Sequence, residues 1–112
     1  HHCADSHMNA YLRFKLALTE DQPTIKPYDE AAWATLPDSR GPIGPSLSIL
    51  DGLHARWVEL LTALNSTERA RVFLHPEHDS AFTLTLGIDN YQWHCRHHLA
   101  HVYQALRLQL DQ

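Results

Sequence analysis

Four histidines fall within eight positions of one stretch, Trp93-His94-Cys95-Arg96-His97-His98-Leu99-Ala100-His101. The stretch reads as part of a long C-terminal helix. With about 100° of rotation per residue, His98, His101 and His97 lie roughly +40°, −20° and −60° from His94. All four fit within an arc of about 100°, the width of one helix face. Such faces are normally apolar or charged. One built from imidazoles points to metal binding or proton chemistry, because neutral imidazole is the commonest protein metal ligand.

The rest of the pattern is helical with little strand. Ala4, Met8, Tyr11, Leu12, Phe14, Leu16 and Leu18 recur at helical spacing, and no Gly or Pro intervenes before Pro23, so a helix is expected from His1 to about Leu18. Thr19 to Pro23 ends it. Pro23 to Tyr28 reads as an extended connector held open by two prolines. Asp29 is placed to cap a short helix, Glu30 to Leu36, carrying Trp33. The Pro- and Gly-rich segment 37–45 is a loop, and Pro45 suits the first turn of a second long helix reaching about Leu64. Ser66 is a candidate N-cap for one short turn. Val72 to Phe82 reads as an irregular or hairpin-like excursion. Thr83 or Thr85 then caps the last helix, to about Leu110, with Gly87 a weakness in its first turns.

These elements make an all-α chain of one domain, 1–112. Its three long helices would want a fourth to close a bundle. The chain enters a helical pattern at once and without Met, which leads us to expect a further element upstream and, without it, an exposed apolar groove.

The formal charge of −4 and the scattered Lys and Arg argue against a nucleic-acid or anionic-membrane partner. No apolar run approaches a membrane span, and no signal-peptide pattern is present. Two cysteines are too few for a disulfide scaffold. The default location is therefore the cytoplasm.

Two histidines at i and i+4 can reach one metal ion, and a third ligand must come from another element. Both His94 with His98 and His97 with His101 have this spacing. His1, His2 and Asp5, on the first helix, are the candidates for the third position. Three protein ligands would leave coordination positions open, as a catalytic site requires. The bland alternative is a set of histidines with ordinary hydrogen bonds, the class in which His54, His75 and His78 are placed.

The segment His1-His2-x-Ala4-Asp5-Ser6-His7-Met8-Asn9-Ala10-Tyr11-x-Arg13-Phe14-Lys15 resembles the signature of the YfiT-like branch of the DinB superfamily. So do Pro27-Tyr28, Leu53-His54-x-Arg56-Trp57, His75-Pro76 and Trp93-His94-x-x-His97-His98-x-Ala100-His101. The resemblance spans nearly the whole chain in the same order. It implies an antiparallel four-helix bundle, here lacking its N-terminal helix. It also implies a divalent metal, zinc or nickel, on His2, His94 and His98, with His97 and His101 supporting. Asp5 would orient a ligand, as carboxylates behind metal ligands do.

The resemblance further implies transfer of a low-molecular-weight thiol, bacillithiol-like, to a small-molecule electrophile, the metal lowering the pKa of the thiol. Arg13 and Lys15 would bind a carboxylate of that thiol. The alternatives are metal-dependent hydrolysis, with water in place of the thiol, and a non-catalytic metal-binding stress-response protein. A homodimer is expected.

Cys3 and Cys95 depart from the family pattern. They are expected as small buried residues, or as a redox pair if their Cα atoms come within about 7 Å. Trp33, Trp57 and Trp93 are expected in the core or at a dimer contact, and Tyr28 and Tyr91 along the pocket. Glu77 or Asp79 is a candidate general base.

Overall fold

The computed structural model describes residues 1–110; Asp111 and Gln112, the end of the expected domain, lie outside the described residues. In chain order the elements are α1 (His2–Thr19), α2 (Glu30–Ala34), a 3₁₀ turn (Pro37–Arg40), α3 (Gly44–Ala63), α4 (Ser66–Arg69), the strands β1 (Val72–Leu74) and β2 (Ala81–Thr83), and α5 (Leu84–Leu110). The chain is all-α in class, with one small antiparallel hairpin that pairs Val72 with Thr83 and Leu74 with Ala81.

α1 is the central helix. Its buried positions Ala4, Ser6, His7, Ala10, Phe14 and Ala17 are mostly small, so two other helices pack closely on it. α3 runs alongside α1 in the same direction: His1 meets Ser46, His7 meets His54 and Phe14 meets Trp57. The connection 20–43 carries the chain back to make this possible. α5 runs antiparallel to α1. Phe14 lies at Gly87, and His7 hydrogen-bonds His94. The core gathers Ala10, Phe14, Ala17, Ile25, Trp57, Leu64, Phe73 and Leu84. Between α3 and α5, a groove of about 220 Å³ is lined by Trp57, Val58, Leu61, Ile88 and Tyr91, among others.

Two devices fasten the ends of α1. At its C-terminus, Arg71 donates from Nε and Nη2 to the carbonyls of Ala17 and Glu20. These are groups that a helix end leaves without intrahelical partners. The connector after Gln22, which takes a left-handed φ of 43°, is extended as expected and pairs with β1. Leu74 N–H donates to Pro23 O at 2.8 Å, and Ile25 N–H to Leu74 O at 2.9 Å. At its N-terminus, His1 Nε2 donates to Gly41 O at 2.9 Å and Nδ1 accepts from the Ser46 hydroxyl at 2.6 Å.

Several local expectations change. The short helix ends at Ala34, not Leu36, and part of the following loop is the 3₁₀ turn. The N-cap of α4 is Asn65 rather than Ser66, because Asn65 forms a reciprocal capping box with Glu68. Thr83 caps α5, accepting from Leu86 N–H at 3.1 Å. Of the tryptophans, Trp57 is buried, Trp33 is half-buried against Tyr28, and Trp93 is 59% exposed, outside the core.

Gly87 is not merely a weak helix position. A Cβ there would stand 2.7 Å from Phe14 Cζ. Helix propensity alone would make Gly87→Ala stabilising by about 1 kcal/mol. Overpacking against the Phe14 ring reverses the sign, and we expect a net loss of about 1–3 kcal/mol in urea denaturation. A stabilised Gly87→Ala would show that α1 and α5 are not in this close contact.

Candidate metal centre

Seven residues make two helical turns, about 10.5 Å of helix. Stepping seven residues back along α1 from Phe14 reaches His7. Stepping seven forward along α5 from Gly87 reaches His94. The antiparallel register that seats Phe14 on Gly87 therefore brings the first turns of α1 to the histidine-rich part of α5. There, one donor atom each from His2, His94 and His98 lies within 4.8 Å of the others. The ring of His2 is 5.4 Å from that of His94 and 4.9 Å from that of His98. His94 Nε2 and His98 Nε2 approach to 3.1 Å.

This donor set fits a metal ion. Two imidazoles bound at about 2.0–2.1 Å to one tetrahedral ion have nitrogens about 3.3 Å apart. All three rings are half-buried. Burial, then the neighbouring His98, His2 and His97, pushes the pKa of His94 down to about 4. Burial and its histidine neighbours also lower that of His98. Both rings are therefore neutral near pH 7, with lone pairs available.

The geometry resolves two ambiguities of spacing. Of the leading pair, His2 joins the cluster, while His1 spends both ring nitrogens on Ser46 and Gly41. Of the two i, i+4 pairs, His94 and His98 face α1. His97 stacks on Trp93 at 4.6 Å and sits edge-on to His101 at 4.3 Å, with both His97 and His101 exposed.

The remaining candidates are placed differently. Asp5 shares a cavity of about 220 Å³ with His2, Tyr28 and Glu30. Its main-chain carbonyl accepts from Asn9 Nδ2 at 2.8 Å. Arg13 lines a separate cavity, and Lys15 is exposed with its ammonium 5.1 Å from the centre of the Tyr11 ring. Glu77 and Asp79 lie in the exposed hairpin turn, outside the cluster of His2, His94 and His98. Tyr91 packs edge-on against His7 at 5.2 Å.

Cys95 is exposed and Cys3 half-buried, correcting the expectation that both are buried. One residue beyond His94, Cys95 is turned about 100° from the face that α5 packs on α1. Partial burial raises both thiol pKa values. Both thiols are therefore protonated at neutral pH and poorly nucleophilic.

The spacing argument assigned no role to His7 and put His54 among the histidines with ordinary hydrogen bonds. His54 does make one, but its partner is His7. His7 is 2% exposed, with Nδ1 2.6 Å from His54 Nε2 and Nε2 3.1 Å from His94 Nδ1. Burial, then His54 and His94, lowers its pKa to about 4. A signal was present: His7 lies in the stripe Ala4, His7, Ala10, Phe14, Ala17, whose other members are apolar and face the core.

The sequence model of the DinB superfamily matches residues 1–102. A Bacillus cereus (strain B4264) protein named "putative metal-dependent hydrolase" is 53% identical over 111 residues, covering 99% of this chain and 63% of that protein. A similarly named Bacillus mycoides (strain KBAB4) protein is 54% identical over 111 residues with the same coverage. This chain thus spans under two thirds of the length of these curated relatives. Among solved structures, YfiT from Bacillus subtilis superposes with a TM-score of 0.89 at 48% identity, covering 96% of this chain and 62% of that one. It is described as "a probable metal-dependent hydrolase with an unusual four-helix bundle topology". The match across the histidine-bearing parts of both helices, and the shared fold, place this chain in the DinB superfamily.

Proposed function

We propose that this chain carries the metal centre of an enzyme that transfers a low-molecular-weight thiol to a small electrophile. The supporting observation is the convergence of His2, His94 and His98. Three imidazoles would hold a divalent ion and leave positions open. Zinc and nickel both suit such ligands. A bound ion would supply Lewis acidity and lower the pKa of a thiol or water that reaches it.

The chain's own residues shape the approach. Tyr28 lines both the cavity beside His2 and a larger one of about 570 Å³ containing Arg13, Lys26 and Trp33. Its hydroxyl is buried beside the Ser6 side chain, and burial raises its pKa. It therefore stays protonated at neutral pH. Arg13 uses Nη2 on Lys26 O at 3.2 Å, leaving other guanidinium donors for a carboxylate. An anionic thiol could thus lie with its sulfur toward His2 and its carboxylate toward Arg13. Lys15 has no comparable place in this arrangement.

Hydrolysis is the second reading, favoured by the names of the relatives. Thiol-dependent loss of chlorodinitrobenzene by the metal-loaded chain is the expected result. Ester turnover without thiol would establish the hydrolase instead, and bound metal with neither activity a non-catalytic role. We expect near-stoichiometric metal by elemental analysis in the parent chain and almost none in folded His98→Ala. Equal metal in both would remove His98 from the site.

The lowered histidine pKa values also predict the acid response of the metal-free chain. Unfolded, His7 and His94 bind protons near the ordinary value of about 6.5; folded, near about 4. Between those values the unfolded state holds more protons, so stability rises with pH there. With chelator present, the thermal midpoint is expected to be level above pH 7 and to fall as pH drops from about 6.5 toward 4. A midpoint unchanged across that window would contradict the burial of these rings.

A further inference from the structure

Three imidazoles stand in series, leading from the metal centre into the bundle. His94 turns Nε2 toward His98 and Nδ1 toward His7 Nε2, 3.1 Å away, and His7 Nδ1 is 2.6 Å from His54 Nε2. A neutral imidazole carries one ring hydrogen, so one nitrogen donates and the other accepts. An ion at His94 Nε2 needs that lone pair, which places the hydrogen of His94 on Nδ1. His94 Nδ1–H then donates to His7 Nε2, the hydrogen of His7 is on Nδ1, and His7 donates to His54 Nε2. A single tautomer follows for each ring.

The middle ring is firmly held. It lies edge to edge with His54, the ring centres 4.9 Å apart and the planes 22° from parallel, and meets Tyr91 and Trp57 edge-on at 5.2 and 6.1 Å. At 2% exposure it leaves little room for water to take its place beside His94.

We propose that His7 is a positioning residue for the metal centre, fixing the tautomer and ring orientation of His94, and that His54 fixes His7 in turn. The inference rests on the metal-centre reading above. Metal-bound histidines usually give their second N–H to a carboxylate, a carbonyl or water. Here the acceptor is a neutral ring. It orients the ligand while adding less basicity than a carboxylate would, leaving the ion the stronger Lewis acid.

The test compares zinc affinity, by competition with a chromogenic chelator, in the parent chain, His7→Phe and His7→Gln, each checked for folding by circular dichroism. Phenylalanine keeps the ring but has no nitrogen. Glutamine can accept from His94 and donate to His54. The expected result is a loss of about 10- to 100-fold in His7→Phe and recovery to within a few-fold of the parent in His7→Gln. Nitrogen-15 spectra of the zinc-loaded parent should show His94 and His7 each carrying hydrogen on Nδ1, a readout that needs no variant. Parent-like affinity in His7→Phe, glutamine no better than phenylalanine, or hydrogen on Nε2 of His7 would each overturn the assignment while leaving the metal centre intact. A parent chain that binds no zinc would overturn the metal-centre reading and this inference with it.

Discussion

The seating of the Phe14 ring on Gly87 sets the distance and register between the first and last helices. A glycine at this point lets a fully buried aromatic ring reach the backbone of α5. Alanines on the buried side of α1 keep the approach close elsewhere. Because both helices are regular, a register set at one point is carried along their length. Two turns away it brings His7 to His94, and beyond that it delivers His2 to His98. The histidine cluster is in this sense a consequence of packing in the apolar half of the bundle.

The ends of α1 are held by different means. The Arg71 side chain and the pairing of 23–25 with β1 fasten the C-terminal end. The imidazole of His1, fastened to α3 and the loop before it, holds the N-terminal end. Adjacent histidines thus do different work: His1 ties the helix down and His2 is offered to the cluster. The turn of about 100° between neighbouring helical residues makes this division possible.

Burial gives the centre its chemical character. Removing imidazoles from water disfavours their charged forms, and mutual repulsion among neighbouring histidines acts in the same direction. The polar nitrogens so buried are satisfied largely by one another, through the 2.6 and 3.1 Å contacts of His7. Unpaired, they would carry the desolvation cost of buried polar groups. The same partial burial leaves Cys3 and Cys95 protonated, so a site flanked by two thiols does not present them as nucleophiles.

Helical periodicity, proline and glycine placement and capping residues made the long helices, the extended connector and the hairpin-like excursion legible, because these depend on local conformational preference. Spacing also showed that α5 carries two i, i+4 histidine pairs and that α1 opens with two adjacent histidines. It left open which pair and which neighbour would meet, since both alternatives are equally good on isolated helices. The register between α1 and α5 made that choice, turning His94 and His98 toward His2 while leaving His97 beside Trp93 at the surface. Tertiary contact likewise made Gly87 a packing requirement and made His54 the partner of His7. These outcomes depend on residues brought together from forty to nearly a hundred positions apart in sequence, and local spacing carries no information about such distances.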